Sequence, residues 1–128
     1  MEPAFLELGE ILLIHQDQLE RYGGSPGLRD IGILQSATAM PRAGIADRYL
    51  HEDIFEMAAA YLYYIVRNHP FVDGNKRTGV VAAMVFLAMN DIKILVDEDE
   101  LEVIVRSVAE GNTTKANVAA FFREGKRR

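Results

Sequence analysis

The 128-residue chain has no cysteine, no tryptophan and only four prolines. It also has no apolar run approaching the roughly 20 residues that a membrane-spanning helix needs. Without cysteine, neither a disulfide framework nor a thiolate metal site can form, which fits a reducing compartment. Positive charge is in deficit as well: 14 Lys and Arg against 19 Asp and Glu leave a net charge of -5. That balance argues against broad nucleic-acid binding, which depends on basic surface, and predicts no direct nucleic-acid contact. The stretch Met1 to Phe5 lacks the basic region and long apolar core of a secretory signal. Together these absences predict a soluble, cytoplasmic protein with no membrane association.

What is abundant is apolar. Hydrophobic residues make up 49% of the chain, too many for a disordered one. At this length the expectation is a single domain, residues 1–128, with a proper core.

Hydrophobic period then divides the chain into helices. Leu8, Ile11, Leu12, Ile14, Leu19 and Tyr22 recur at helical spacing up to the stop at Gly23-Gly24. His15 lies inside that helix and reads as a structural or surface histidine. Asp30 can cap a helix from Ile31 to about Met40, ended by Pro41. Pro41 to Leu50 shows no clear period. From Asp53 to Asn68, Ile54, Met57, Ala58, Tyr61, Leu62 and Ile65 form one stripe, a core face; His51, just ahead of it, receives no role. After a turn at Asn90-Asp91, Ile92 to Val96 reads as a short extended segment. Asp97 and Glu100 resemble a capping box opening a helix closed by Gly111, and Thr113 or Thr114 caps a last helix through Phe122. The basic tail Lys126-Arg127-Arg128 reads as a frayed terminus. The predicted fold class is all-α: a compact bundle of five to six helices around a central buried helix, with at most a small β-hairpin.

One stretch organises the rest, His69 to Asn90, HPFVDGNKRTGVVAAMVFLAMN. Its second half, Gly79 to Met89, is apolar on every side, the pattern of a helix buried in a core. Its first half sets His69, Asp73, Gly74, Asn75, Lys76 and Arg77 at the amino end of that helix. The first N–H groups of a helix lack intrahelical partners and carry partial positive charge, so a phosphate fits there. Lys76 and Arg77 gain nothing from the dipole in the first turn, which suggests an anionic guest. Gly74 lets the backbone turn through positive φ. Asp73 supplies a hard oxygen of the kind Mg2+ uses when held by one or two carboxylates and substrate phosphates. The imidazole of His69 is a natural proton acceptor for a hydroxyl nucleophile. Phe71 is expected to plug the loop into the core.

These nine residues, His69 to Arg77, resemble the signature of the Fic/Doc superfamily, roughly His-x-Phe-x-Asp-Gly/Ala-Asn-Gly/Lys-Arg, at seven positions. Gly24-x-x-Gly27-x-Arg29-Asp30, followed by Leu34-x-Ser36-Ala37, is a second similar stretch. AMP-transferases of the superfamily have a glycine where Lys76 stands and a second arginine where Val80 stands, so the chain is similar to the Doc branch of toxins. That resemblance implies transfer of the γ-phosphate of ATP to a Ser or Thr hydroxyl of a protein, with elongation factor Tu as target and translation blocked. It implies catalytic roles for His69, Asp73 and Arg77, a phosphate cradle from Gly74, Asn75, Lys76 and Arg77, and Mg2+ on Asp73, which could also orient the histidine or the hydroxyl. It further implies that the 42–49 segment is a flap aligning the target; an ordinary connecting loop is the alternative reading. The inhibitory Ser/Thr-x-x-x-Glu-Gly/Asn pattern of many relatives is not met: Ser107-Val108-Ala109-Glu110-Gly111 falls one residue short. A separate Phd-like antitoxin is therefore expected to restrain the chain in trans. Two further functions compete, an AMP or NMP transferase acting on protein and a catalytically silent module that binds an antitoxin.

Overall fold

The computed structural model describes residues 2–127. Six helices form among them: α1 (Leu8–Tyr22), α2 (Ile31–Ala39), α3 (Ile54–Asn68), α4 (Asn75–Met89), α5 (Glu98–Glu110) and α6 (Lys115–Glu124). The all-α bundle expected from hydrophobic period is the observed one. Five of these helices begin under a side chain. Glu10 of α1 accepts the Glu7 N–H in a capping box, while Asp30, Asp53, Asp97 and Thr114 accept from N–H groups three residues on in α2, α3, α5 and α6. The helix α4 alone has no side-chain cap; it opens from Gly74 at φ 78°, in the left-handed region.

A central buried helix exists, but the more enclosed one is α3 and not α4, whose residues from Gly79 to Met89 are apolar throughout. The helix α3 packs against α2, α4, α5 and α6 and buries Phe55, Met57 through Leu62, Ile65 and Val66. In α4, Val80, Val81, Met84 and Val85 are only half-buried and Met89 is 37% exposed. Enclosure depends on how many neighbours a helix acquires, which its own period does not state. The two helices meet closely because Gly79 has no side chain: a Cβ there would lie 2.7 Å from Val66 Cγ2 and 3.2 Å from the Leu62 carbonyl oxygen.

Pro41 lies inside a 3-10 turn, Met40–Arg42, so α2 stops one residue earlier than its period suggests. The segment beyond it forms a hairpin, β1 (Gly44–Ile45) with β2 (Arg48–Tyr49), antiparallel and turning through Ala46 at φ 56°. The N-terminal segment holds this hairpin. Tyr49 donates to the Glu2 carboxylate at 2.6 Å and packs its ring on Phe5, and Arg42 pairs with Glu7 at 3.1 Å. The same segment is anchored in the core by Tyr61, whose hydroxyl accepts the Leu6 N–H at 2.9 Å and donates to the Leu6 carbonyl at 3.3 Å. Burial pushes the Tyr61 phenol up to about 12.

A second small sheet corrects the reading of the tail. Strand β3 (Lys93–Ile94) pairs antiparallel with β4 (Lys126–Arg127), so these two basic residues are held by backbone pairing and are not frayed; Arg128 lies outside the described residues. The extended segment at 92–96 finds its partner far along the chain, Ile94 against Lys126 and Lys93 against Arg127, a pairing with no local signal. No helix among the described residues is long and apolar enough to cross a membrane.

Candidate active site

The loop from His69 to Gly74 joins α3 to α4, and a second loop, from Gly23 to Asp30, lies along it. His69 ends α3 in the left-handed conformation, φ 51° and ψ 62°, an uncommon choice for a residue with a Cβ. Pro70 keeps the preceding residue out of the right-handed α region, which ends the helix there, and the Arg29 guanidinium donates to the carbonyls of His69 and Asn68, capping the helix end. The backbones then zip together: Arg29 and Asp30 N–H groups reach the Pro70 carbonyl at 2.8 and 3.1 Å, and Val72 N–H reaches the Gly27 carbonyl at 3.0 Å. The His69 side chain stays exposed.

Inside this brace Phe71 is 1% exposed, the plug that its position suggests. The Asn75 side chain is buried and turned into the loop, accepting the Phe71 N–H at 3.0 Å and donating to the Phe71 carbonyl at 2.9 Å. Its backbone N–H lies at the start of α4. Asp73 does not reach for His69 either: one carboxylate oxygen accepts the Ser25 N–H at 3.0 Å and the other the Gly74 N–H at 2.9 Å. Those two donors hold the Asp73 carboxyl below the ordinary carboxylate range, with Arg77 and His15 adding to the effect. Gly24 makes the Ser25 contact possible, since a Cβ on it would sit 3.0 Å from Asp73 Oδ2 at φ 127°.

The two cations behave differently. Lys76 is exposed, whereas Arg77 is half-buried, donates to the Gly23 carbonyl at 2.9 Å and lies over the Tyr22 ring at 5.4 Å. His69, Val72, Asp73, Gly74, Asn75, Lys76 and Arg77 line one pocket of about 360 Å³. All six site residues read from the sequence are therefore brought together. Lys76 and Arg77 also border a groove of about 380 Å³ between α1, α4 and α5. The first intrahelical bond of α4 runs from Thr78 N–H to the Gly74 carbonyl at 3.0 Å, so the N–H groups of Asn75, Lys76 and Arg77 precede the ladder at the pocket. The hairpin at 44–49 contributes nothing to the lining of this pocket.

The donor set fits a divalent cation of one kind. No group of three or more acidic, histidine or cysteine side chains capable of holding a metal occurs among the described residues. A single ionised, exposed carboxylate suits Mg2+ shared with substrate phosphates, and does not suit an all-protein cage.

Sequence reasoning missed four contributors: His15, Ser25, Arg29 and Gly27. Three lie in the stretch whose resemblance was visible. His15 had a signal too, for it follows Ile11 by four residues and precedes Gln18 by three, and those three positions are the buried face of α1.

A profile described as the Fic/DOC family matches residues 5–87. The chain is similar to "Protein kinase doc" of Escherichia phage P1, 33% identical over 114 residues covering 89% of each chain. It is also similar to "Toxin Doc" of Mycolicibacterium smegmatis, 36% identical over 101 residues, 77% of this chain and 78% of that one. With the signature loop folded onto an uncapped helix start and the likeness running over most of its length, the chain belongs to the Fic/Doc family, among relatives that are Doc toxins.

Proposed function

We propose that this chain transfers the γ-phosphate of ATP to a Ser or Thr hydroxyl of a protein, and that it blocks translation by doing so to elongation factor Tu. The observation that carries the reading is the bare start of α4, the one α-helix start without a side-chain cap among the described residues, opening on a pocket lined by His69 and Asp73. Leaving N–H groups uncapped has a stability cost that an incoming anion offsets. The name of the phage relative, a protein kinase, supports the same direction. Val80, half-buried in α4, offers no charge where an AMP-transferase has its second arginine, so the nucleotide can sit with its terminal phosphate at the helix start.

In this reading His69 accepts the proton of the attacking hydroxyl as the new oxygen–phosphorus bond forms. The bond between the γ-phosphorus and the β–γ bridging oxygen breaks, and ADP leaves. The N–H groups of Asn75, Lys76 and Arg77 hold the transferred phosphoryl oxygens, and the Lys76 and Arg77 side chains neutralise their charge. Asp73 would hold Mg2+, which supplies charge neutralisation across the phosphates when bound. Since Ser107 to Gly111 at the end of α5 falls short of an inhibitory motif, restraint comes from a Phd-like antitoxin in trans, in the bacterial cytoplasm.

Paired reactions with α- and γ-labelled ATP, Mg2+ and elongation factor Tu test the proposal, with His69→Ala as control. Transfer of γ-label only, lost in the variant, is the expected result. Transfer of α-label would replace the reading by AMP transfer. Label from neither, on the factor or in whole lysate, would leave a silent antitoxin-binding module as the better account.

A further inference from the structure

We infer that His15 is a positioning residue of the transfer site, acting through Asp73; this rests on the γ-phosphate transfer proposed for that site. His15 belongs to α1 and meets the loop across 58 residues of sequence. Its ring lies flat on Phe71, centroids 3.7 Å apart and planes within 5°. Its Nε2 is 2.8 Å from the carbonyl oxygen of Asp73. A carbonyl only accepts, so Nε2 carries the proton and donates. The same ring edge borders Gly74, where a Cβ would stand 3.6 Å from Cδ2 and Nε2. One imidazole therefore grips Phe71 by its face and Asp73 by its edge, the two ends of Phe71-Val72-Asp73.

The grip matters for the glycine next to Asp73. Gly74 is at φ 78° and has no side chain to hold it there. The Asp73 carbonyl also lies outside the α4 ladder, whose first acceptor is the Gly74 carbonyl. Without His15 the peptide plane between Asp73 and Gly74 is free to turn towards water. Turning it would carry the Gly74 N–H away from the Asp73 carboxylate, which it now meets at 2.9 Å, and reorient the N–H groups that open α4. The carboxylate and the anion cradle would move together. At 6% exposure His15 is closed off from substrate, so its effect passes through the loop.

Two variants separate this role from plain packing. His15→Phe keeps a ring over Phe71 and deletes the donor; His15→Gln restores an N–H donor at similar reach and deletes the ring. For each, γ-phosphate transfer is measured against Mg2+ concentration, Mg2+-ATP binding by calorimetry, and Tm by scanning calorimetry. The expected result is a kcat loss on the order of ten- to a hundredfold with a raised Mg2+ requirement in His15→Phe, its Tm nearly unchanged, and recovery of most of kcat in His15→Gln despite a lower Tm. An active Phe variant beside an inactive Gln variant would overturn the inference, as would loss of the fold in both. If the wild-type protein transfers no label, the transfer reading fails by itself and His15 is judged on Mg2+-ATP binding. Weaker binding in His15→Phe that returns in His15→Gln supports the positioning role; binding unchanged in His15→Phe, or absent in the wild type, overturns it.

Discussion

The helices α3 and α4 are each 15 residues long and lie side by side, yet they begin in opposite ways. The start of α3 is complete: Asp53 accepts the Glu56 N–H at 2.8 Å and pairs with Arg123 at 2.8 Å. The start of α4 is bare, and the side chains around it are directed elsewhere, Asn75 into the loop, Asp73 to Ser25 and Gly74, Arg77 to Gly23. A capped start serves the stability of its own helix. An uncapped one, held by bonds made outside the helix, leaves its first N–H donors without a side-chain partner.

The comparison breaks most sharply at Arg77. Replacing it with alanine should slow transfer by about two to three orders of magnitude in steady-state assays, if it stabilises charge in the transition state, while Tm changes little. Phe71→Ala attacks the support behind the bare start. Emptying a site that is 1% exposed should cost about 3–5 kcal/mol in denaturant unfolding, and activity per folded molecule should fall with it because His15 loses its stack. A variant as stable and active as the wild type would remove Phe71 as an anchor.

Asp53→Ala sharpens the contrast from the other side. Losing this cap should lower stability by about 1 kcal/mol and leave transfer by the folded protein unchanged; a parallel loss of activity would mean the two helix starts are coupled. The last test lies two residues before that cap and shows only as pH is lowered. His51 is buried and neither ring nitrogen has a partner. Burial, helped by the charge of Lys115, lowers its pKa, with the Pro41 carbonyl offsetting part of the shift. As pH falls below the ordinary histidine value, the unfolded chain takes up a proton before the native one does, so this contribution to stability is present at neutral pH and lost towards acid. The slope from one such group is at most about 1.4 kcal/mol per pH unit. In unfolding curves at several pH values, His51→Leu should flatten that acid limb.

Much of the fold was legible because its signals are local. Asp30, Asp53, Asp97 and Thr114 cap the helices that they precede, and His69-Pro70 ends α3 where proline sterics require. The grouping of the candidate residues in one pocket was legible for the same reason, since His69 to Arg77 are contiguous. What escaped was every contact made across a distance. Arg29 reaches His69 over 40 residues, His15 reaches Asp73 over 58, and Lys126 pairs with Ile94. The use of the Asn75 side chain escaped for a related reason: an amide that closes a loop and one that faces a pocket are the same letter.

By itself, then, the sequence determined which segments become helices and which nine residues form the signature loop between two of them, because capping, period and backbone sterics act within a few positions. Only the tertiary structure decided which helix is enclosed, which side chains remain free at the start of α4, and which distant residues hold Asp73 in place. Those outcomes depend on which surfaces meet once the chain has packed, and no single segment contains that information.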